Sequence, residues 1–135
     1  MREKVREAVM SIIIATAITS TGCATTGKDL VRDGVVDVER ESSRYAMVTL
    51  VSAMQEGPAL LVRGEVRRRY GGRSPIPGHI DVQIIGPDGK VLEDASVGYH
   101  RRSAKWRSAS FYVRLETVPP RGSTIRVQHD EARIH

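Results

Sequence analysis

The sequence predicts an all-β domain, a single antiparallel sandwich of about seven strands that follows an N-terminal signal helix. Aromatic residues make up only 4% of the chain, so the core must consist of Val, Ile and Leu, which favour strands. From Val35 onward, apolar residues recur with a period of two and turn signals separate them about every 8–15 residues, as in sandwiches of short strands. No segment shows a convincing helical period.

The clearest strands are those whose apolar residues alternate strictly with polar ones. Leu61–Tyr70 places Val62, Gly64 and Val66 on one face and its charged residues on the other, because successive side chains of a strand point to opposite faces. Ile80–Ile84 alternates in the same way. The sequence therefore predicts that each of these strands has one buried face.

The remaining strands are predicted from apolar runs and the turns between them. Val35–Glu39 is a short first strand, and the apolar run Tyr45–Ala53 is expected to be buried on both faces. Pro87-Asp88-Gly89 lies between two apolar pairs and predicts a tight hairpin in which Gly89 adopts a positive φ. Phe111–Leu115 and Ile125–Val127 alternate and complete the sandwich.

The stretch from Leu60 to Val127 resembles the FxLYD-type immunoglobulin-like domains of exported bacterial proteins, although Ser103–Trp106 stands where those domains usually have a Pro-Gly turn. The resemblance implies an immunoglobulin-like sandwich and no catalytic residue. It rests on four segments of strand and turn: Leu61–Val66, Ile80–Ile85, Asp88–Leu92 and Ser110–Val113.

The N-terminus has the pattern of an export signal. After a charged start, Ala8–Ile18 is an apolar run of eleven residues, which as a helix covers roughly 16 Å, about half of a ~30 Å hydrocarbon layer. Small residues follow, and then Cys23, the only cysteine. This spacing predicts a signal peptide over residues 1–22 rather than a membrane-spanning helix.

Thr21-Gly22-Cys23 resembles the lipobox of bacterial lipoproteins, although Ser20 stands where that family prefers Leu. The resemblance implies that Cys23 receives a diacylglycerol and anchors the chain stably. Two alternatives remain open: cleavage after the triplet at residues 15–17, which gives a soluble exported protein, and a Cys23 that is simply a small buried apolar residue.

The predicted organisation is a signal peptide over 1–22, a flexible tether over 23–34, the sandwich over 35–130 and a C-terminal tail over 131–135. By analogy, Ala24 rather than Asp after the cysteine directs a lipoprotein to the periplasmic face of the outer membrane. The chain carries a net charge of +5, with the excess in its body. Summed positive charge attracts any polyanion, but export argues against nucleic acid as the partner.

The sequence contains no phosphate-binding glycine loop, no paired-cysteine metal spacing and no nucleophile elbow. We therefore expect neither an enzyme nor a cofactor. The candidate site is instead a basic patch with an aromatic platform, formed if two connections lie at the same end of the sandwich. The alternative is a solvated face whose arginine stems cover apolar edges. The patch comprises Arg67, Arg69, Arg73, Arg101, Arg102, Lys105 and Trp106.

Two of the four histidines, His129 and His135, lie with two carboxylates in residues 128–135. Such a group is chemically fit for zinc or copper. A frayed chain end would give the ion no fixed geometry, so we expect a solvated tail and no metal site.

The functional expectation is a lipid-anchored, non-enzymatic envelope protein that acts as a binding or assembly module, with an anionic glycan or lipid headgroup as its ligand. The alternatives are a structural subunit of an envelope complex that accepts a strand at an open sheet edge, and a periplasmic metal-binding protein that uses its terminal histidines.

Overall fold

A computed structural model describes residues 27–70, 75–99 and 107–132, together with the backbone of Arg101 and Arg102. These residues form strands and turns without a helix. The strands are β1 (Lys28–Asp29), β2 (Val36–Glu41), β3 (Ala46–Glu56), β4 (Ala59–Arg68), β5 (His79–Ile85), β6 (Val91–Val97), β7 (Arg101–Arg102), β8 (Ser108–Leu115) and β9 (Ser123–Asp130).

The strands form two sheets that pack face to face. One sheet has the order β1-β3-β4-β8-β7 and the other has the order β2-β9-β5-β6. This arrangement confirms the predicted all-β sandwich. β3 and β4 are consecutive neighbours in one sheet, and the chain changes sheets between β2 and β3 and between β4 and β5. Sandwiches of several topologies share these features, so they do not identify the immunoglobulin-like one. The immunoglobulin-like part of the prediction therefore stays a prediction.

One strand pair departs from the predicted antiparallel arrangement, because β2 and β9 run parallel. The chain crosses from β1 in one sheet to β2 in the other at residues 30–35, and a backbone hydrogen bond from Val35 N to Leu30 O (2.9 Å) closes this crossing. The registers, together with the short connection over residues 42–45 from the end of β2 to the start of β3, show that β1 and β2 run in the same direction, as β9 does. A crossing that does not reverse the chain produces the parallel pair.

The core lies between the sheets and consists of the residues that the alternation assigns to the inner faces. The alternation predicted for β4, β5, β8 and β9 is confirmed. Each large apolar side chain that is fully buried stabilises the fold by about 1.5–3 kcal/mol. The fully buried side chains include Phe111, Leu60, Ile80, Ile84, Leu115, Ile125, Val62, Val66, Val82 and Val127.

The predicted turn at Pro87-Asp88-Gly89 joins β5 and β6 as a hairpin. Gly89 has a φ of 84° and donates its N–H to the Gly86 carbonyl at 2.9 Å. The Asp88 carboxylate accepts the N–H of Lys90 at 3.1 Å. This prediction is confirmed in position and in the role of the glycine.

The predicted flexible tether is too long, because its second half belongs to the sandwich. Lys28–Asp29 forms β1, and Leu30 is only 2% exposed and donates its N–H to Ala53 O at 2.9 Å. The carboxylate of Asp29 accepts the N–H groups two and three positions later, at Val31 and Arg32, both at 3.1 Å, which forms a side-chain-closed turn. One leucine and one aspartate therefore fix a segment whose composition resembles a linker.

The expectation that β3 is buried on both faces is wrong. Leu50 is 62% exposed and Met47 is 37% exposed. Within the described residues, no further layer covers the outer face of the five-stranded sheet. The register of the β3–β4 ladder also shifts between Val48 and Leu50. This irregularity lies inside the apolar run from which burial on both faces was predicted.

Candidate binding surface at one end of the sandwich

One end of the sandwich gathers the segments that carry both candidate sites. We call it the loop end, and it comprises the described residues of three connections, 42–45, 69–70 with 75–78, and 98–99 with 107, and the described segment after β9. The registers establish this placement, because Arg68 pairs with Ala46, Arg67 pairs with Ser108, and Asp130 pairs with His79. The strand ends that flank the two arginine-bearing connections therefore lie at one end of the sandwich, and the patch itself stays a prediction.

Backbone hydrogen bonds hold these connections together. Arg68 N donates to Arg107 O at 2.8 Å, and Arg69 N donates to Tyr45 O at 3.0 Å. The Arg68 guanidinium donates to Pro75 O at 3.1 Å. Because these bonds link three connections, arginines that are distant in sequence become neighbours on one surface.

The side chains at the loop end are cationic and aromatic. Arg67, Arg69 and Arg107 are exposed. The Arg44 guanidinium lies 4.7 Å from the centroid of the Tyr45 ring and donates to its hydroxyl at 2.7 Å. Guanidinium groups present planar pairs of donors that match carboxylate and phosphate oxygens, so this surface is suited to anions.

Two further features define the electrostatics of this surface. Tyr70 is 71% exposed and adds a second aromatic ring beside the arginines. On the described part of this surface, an ion pair joins Arg44 Nε to Glu131 Oε1 at 3.7 Å, and the Arg44 side chain is 74% exposed. An exposed ion pair of this length contributes little to stability, so the positive charge remains available to a ligand.

The structure places part of the predicted patch here and leaves the rest undescribed. Arg67 and Arg69 lie at the loop end. The backbone of Arg101 and Arg102 forms β7, which pairs with β8 at Ser110 and Ala109. The side chains of Arg101 and Arg102 lie outside the described part of the chain. The remaining patch residues lie outside it entirely, and these are Arg73, Lys105 and Trp106.

Sequence reasoning missed Arg44 and Tyr45 because it included Tyr45 in a strand. The signal that could have found them is the serine pair before them. The Ser43 hydroxyl accepts the N–H groups of Tyr45 (3.0 Å) and Ala46 (3.2 Å), a local bond pattern by which serine favours a turn over a strand.

His129 lies beneath the loop end and corrects the expectation of a frayed terminus. It is only 3% exposed and occupies the inner face of β9, since it follows the parity of Ile125 and Val127. Gln128–Asp130 is therefore strand rather than tail, and His129 is not available to a solvent metal ion. His135 lies outside the described residues.

The ring of His129 connects three segments of the loop end. Its Nδ1 lies 2.8 Å from Ser43 Oγ, and its Nε2 lies 2.9 Å from Pro77 O and 2.7 Å from the Tyr99 hydroxyl. A carbonyl can only accept, so Nε2 carries a proton, while the Ser43 hydroxyl donates to Nδ1. Burial lowers the pKa of His129, which the nearby Pro77 carbonyl only partly opposes. The neutral ring thus fixes the connections relative to one another.

A second group of polar side chains lies on the outer face of the four-stranded sheet, beside the loop end. His79 Nε2 is 3.0 Å from Asp81 Oδ1, and candidate ligand atoms of His79, Asp81 and Asp130 all lie within 4.8 Å of one another. Of the residues that the structure describes, this group has the donor set for a metal ion. Sequence reasoning did not assemble it, because β5 and β9 are about fifty positions apart.

The outer face of the five-stranded sheet carries a shallow groove of about 1130 Å³ with a mixed lining that includes Leu50, Arg63, Glu65 and Tyr112.

No helix among the described residues is long and apolar enough to cross a membrane. Comparison with protein-family models, with curated protein sequences and with solved structures finds no match to this chain.

Proposed function

We propose that the chain is a lipid-anchored, non-enzymatic protein of the bacterial cell envelope whose loop end binds the anionic group of a glycan or lipid headgroup. The observation that carries the proposal is the arginine cluster at the loop end, where the bonds Arg68 N to Arg107 O and Arg69 N to Tyr45 O join three cationic connections. The anchor is the acylated thiol of Cys23, at the end of the signal peptide over residues 1–22.

The geometry of the loop end favours binding over catalysis. Four exposed arginines and two exposed tyrosine rings among the described residues supply planar donors and apolar platforms, which suits recognition of phosphate, carboxylate or sugar. His129 lies beneath them, and both of its ring nitrogens form hydrogen bonds within the fold. The described residues of this surface are therefore equipped to hold an anion, and none of them is an activated nucleophile.

The binding proposal is tested by pull-down of the detergent-solubilised chain on peptidoglycan and on beads coated with phosphatidylglycerol or with phosphatidylcholine. We expect a combined substitution of Arg44, Arg69 and Arg107 by Ser to weaken retention by at least about tenfold, because a hydrogen bond to a charged group contributes about 1.5–3 kcal/mol. Retention of the unchanged chain should also fall with added salt.

The matched control removes the same charge from the opposite end of the sandwich. Arg32, Arg114 and Arg121 are exposed there, and their combined substitution by Ser should leave retention within about twofold, since the local cluster rather than the net charge binds the ligand. Equal losses in the two triple variants, with both folds intact, would reject the loop end as the site. Preference for peptidoglycan or for phosphatidylglycerol identifies the ligand class.

The anchor is tested separately by intact-mass analysis of the protein isolated from cells. We expect loss of Met1–Gly22 and added acyl mass on Cys23, and we expect Cys23→Ser to abolish both. A product that retains Met1 and carries no acyl mass would contradict the proposed location.

A second candidate function, an assembly subunit that accepts a partner strand, is favoured by β6. Within the described residues, this strand pairs with β5 on one side only, and its Val91 and Leu92 are exposed. A photo-crosslinking residue placed at Leu92 should then capture one partner in intact cells, while the same residue at Arg121, at the same end but off the edge, should capture none. Identical crosslinking at both positions would reject this alternative.

A further inference from the structure

We propose that His79, Asp81 and Asp130 form a binding site for a divalent transition-metal ion on the outer face of the four-stranded sheet. His79 and Asp81 are two positions apart in β5, and His79 is directly opposite Asp130 in the β5–β9 ladder. Side chains in these positions share one face. The candidate ligand atoms of all three lie within 4.8 Å of one another.

The hydrogen bond on the other ring nitrogen shows how His79 is protonated. Its Nδ1 lies 2.7 Å from the carbonyl oxygen of Ala132, and a carbonyl can only accept, so Nδ1 carries a proton. In the neutral ring Nε2 then has a lone pair, and this lone pair is directed at Asp81 Oδ1 at 3.0 Å. Two acceptors that face each other need a cation between or beside them, either a proton on the ring or a metal ion.

Burial makes this arrangement specific. The His79 side chain is only 10% exposed, so water cannot freely solvate its Nε2. A metal-binding histidine usually has this arrangement, in which one ring nitrogen donates its N–H to a backbone carbonyl and the other offers its lone pair to the metal. One imidazole with two carboxylates is a donor set that suits zinc and similar borderline ions.

Both carboxylates are also oriented by hydrogen bonds. Asp81 Oδ1 accepts the hydroxyl of Ser96, and Asp130 Oδ1 accepts the N–H of Ala132 at 2.8 Å. Each carboxylate oxygen has two lone pairs, so Asp81 Oδ1 accepts from Ser96 and still faces His79 Nε2. The second oxygen of each aspartate adds a further candidate ligand atom. Outer hydrogen bonds of this kind fix the geometry of metal ligands and increase affinity.

Gly78 allows the close approach that assembles the group. It has a φ of 94°, and a Cβ at this position would lie 1.9 Å from the backbone oxygen of Asp130. The start of β5 and the end of β9 can therefore approach closely here, so that His79 meets the Ala132 carbonyl. The site lies on the outer face, separate from the arginines of the loop end, and does not depend on the proposed anion binding.

The test is calorimetric titration of Zn²⁺ into the full chain in detergent, in a Cys23→Ser background so that the thiol binds no metal. We expect saturable binding of one ion and loss of at least about tenfold in affinity in Asp81→Asn and in Asp130→Asn, which keep the oxygen that accepts from Ser96 or Ala132. Asp94→Asn, an exposed carboxylate on neighbouring β6, is the matched control and should bind as the parent does.

A double variant, His100→Asn with His135→Asn, should also retain binding, which separates this site from the other histidines. Loss of binding in that variant, absence of saturable binding in the parent, or tighter binding of Ca²⁺ or Mg²⁺ than of Zn²⁺ would each overturn the proposal. As a second measurement that needs no variant, ¹⁵N spectra should show Nε2 of His79 shifting when Zn²⁺ is added. An unchanged resonance would mean that His79 forms an imidazolium ion pair only.

Discussion

Gly64 lies in the middle of β4, where we expect even one added methyl group to destabilise the sandwich. It pairs with Val51 of β3 on one side and with Phe111 of β8 on the other. A Cβ at this position would lie 2.3 Å from Cζ of Phe111 and 2.4 Å from the carbonyl oxygen of Leu50. Real Cβ atoms essentially never approach other atoms this closely.

The magnitude follows from what would have to move. Phe111 is 1% exposed, so its ring would have to shift by about 1 Å inside a close-packed core, which typically costs 1–3 kcal/mol. Alanine restricts the unfolded chain more than glycine does, which stabilises the folded variant by about 0.4–1 kcal/mol and offsets part of this cost. We expect Gly64→Ala to lower the free energy of unfolding by about 1–2 kcal/mol, which lowers the melting temperature by roughly 4–16 °C in a domain of this size.

The assay is urea and thermal unfolding followed by circular dichroism, with Gly98→Ala as the control. Nothing lies within 4 Å of a Cβ at Gly98, and its φ is not positive, so its stability should change by no more than about 0.5 kcal/mol. Combining Gly64→Ala with Phe111→Leu should cost less than the sum of the two single changes, because the smaller side chain makes room. Additive losses, or a Gly64→Ala variant as stable as the parent, would refute the steric argument.

Two other positions yield predictions with a definite sign. Burial lowers the pKa of His129 below its ordinary value of 6.5, so the unfolded chain binds more protons than the folded chain. The stability contributed by His129 is therefore full above about pH 6.5 and is lost as the pH falls through the folded pKa. His129→Gln should flatten this pH dependence in urea titrations with EDTA present, and equal slopes in the two proteins would count against it. Ser123 Oγ is buried and has no hydrogen-bond partner among the described residues, so Ser123→Ala should raise the free energy of unfolding by about 1 kcal/mol. Thermal unfolding measures this change against the exposed control Ser110→Ala, and a loss at Ser123 would show that the hydroxyl has a partner.

The parts of the fold that could be predicted are those determined by neighbours in the chain. The alternation of Ile80, Val82 and Ile84 fixes which face of β5 is buried, and Gly89 fixes its turn to β6, because both effects act within a few residues. The burial of Leu30 and the exposure of Leu50 depend on which sheet lies opposite. Composition contains no information on that point.

The candidate sites divide in the same way. The arginines that flank the predicted loops at Arg67 and Arg69 could be found, since charge clusters near Gly/Pro breaks are visible in the sequence. The neighbourhood of Arg44 depends on a backbone bond from Arg69, and the meeting of His79 with Asp130 depends on the register of two distant strands. Both require the three-dimensional pairing of the chain, which periodicity does not specify.

The position of β1 determines how an acylated chain would stand on its membrane. Lys28 pairs with Gln55 near the end of β3, opposite the loop end, and an extended chain from Cys23 to Lys28 reaches at most about 18 Å. The eleven residues of β3 span about 33 Å, so in an upright domain the arginines would project beyond the headgroups of the anchoring leaflet. Such a height would direct them towards the cell wall or an opposing surface.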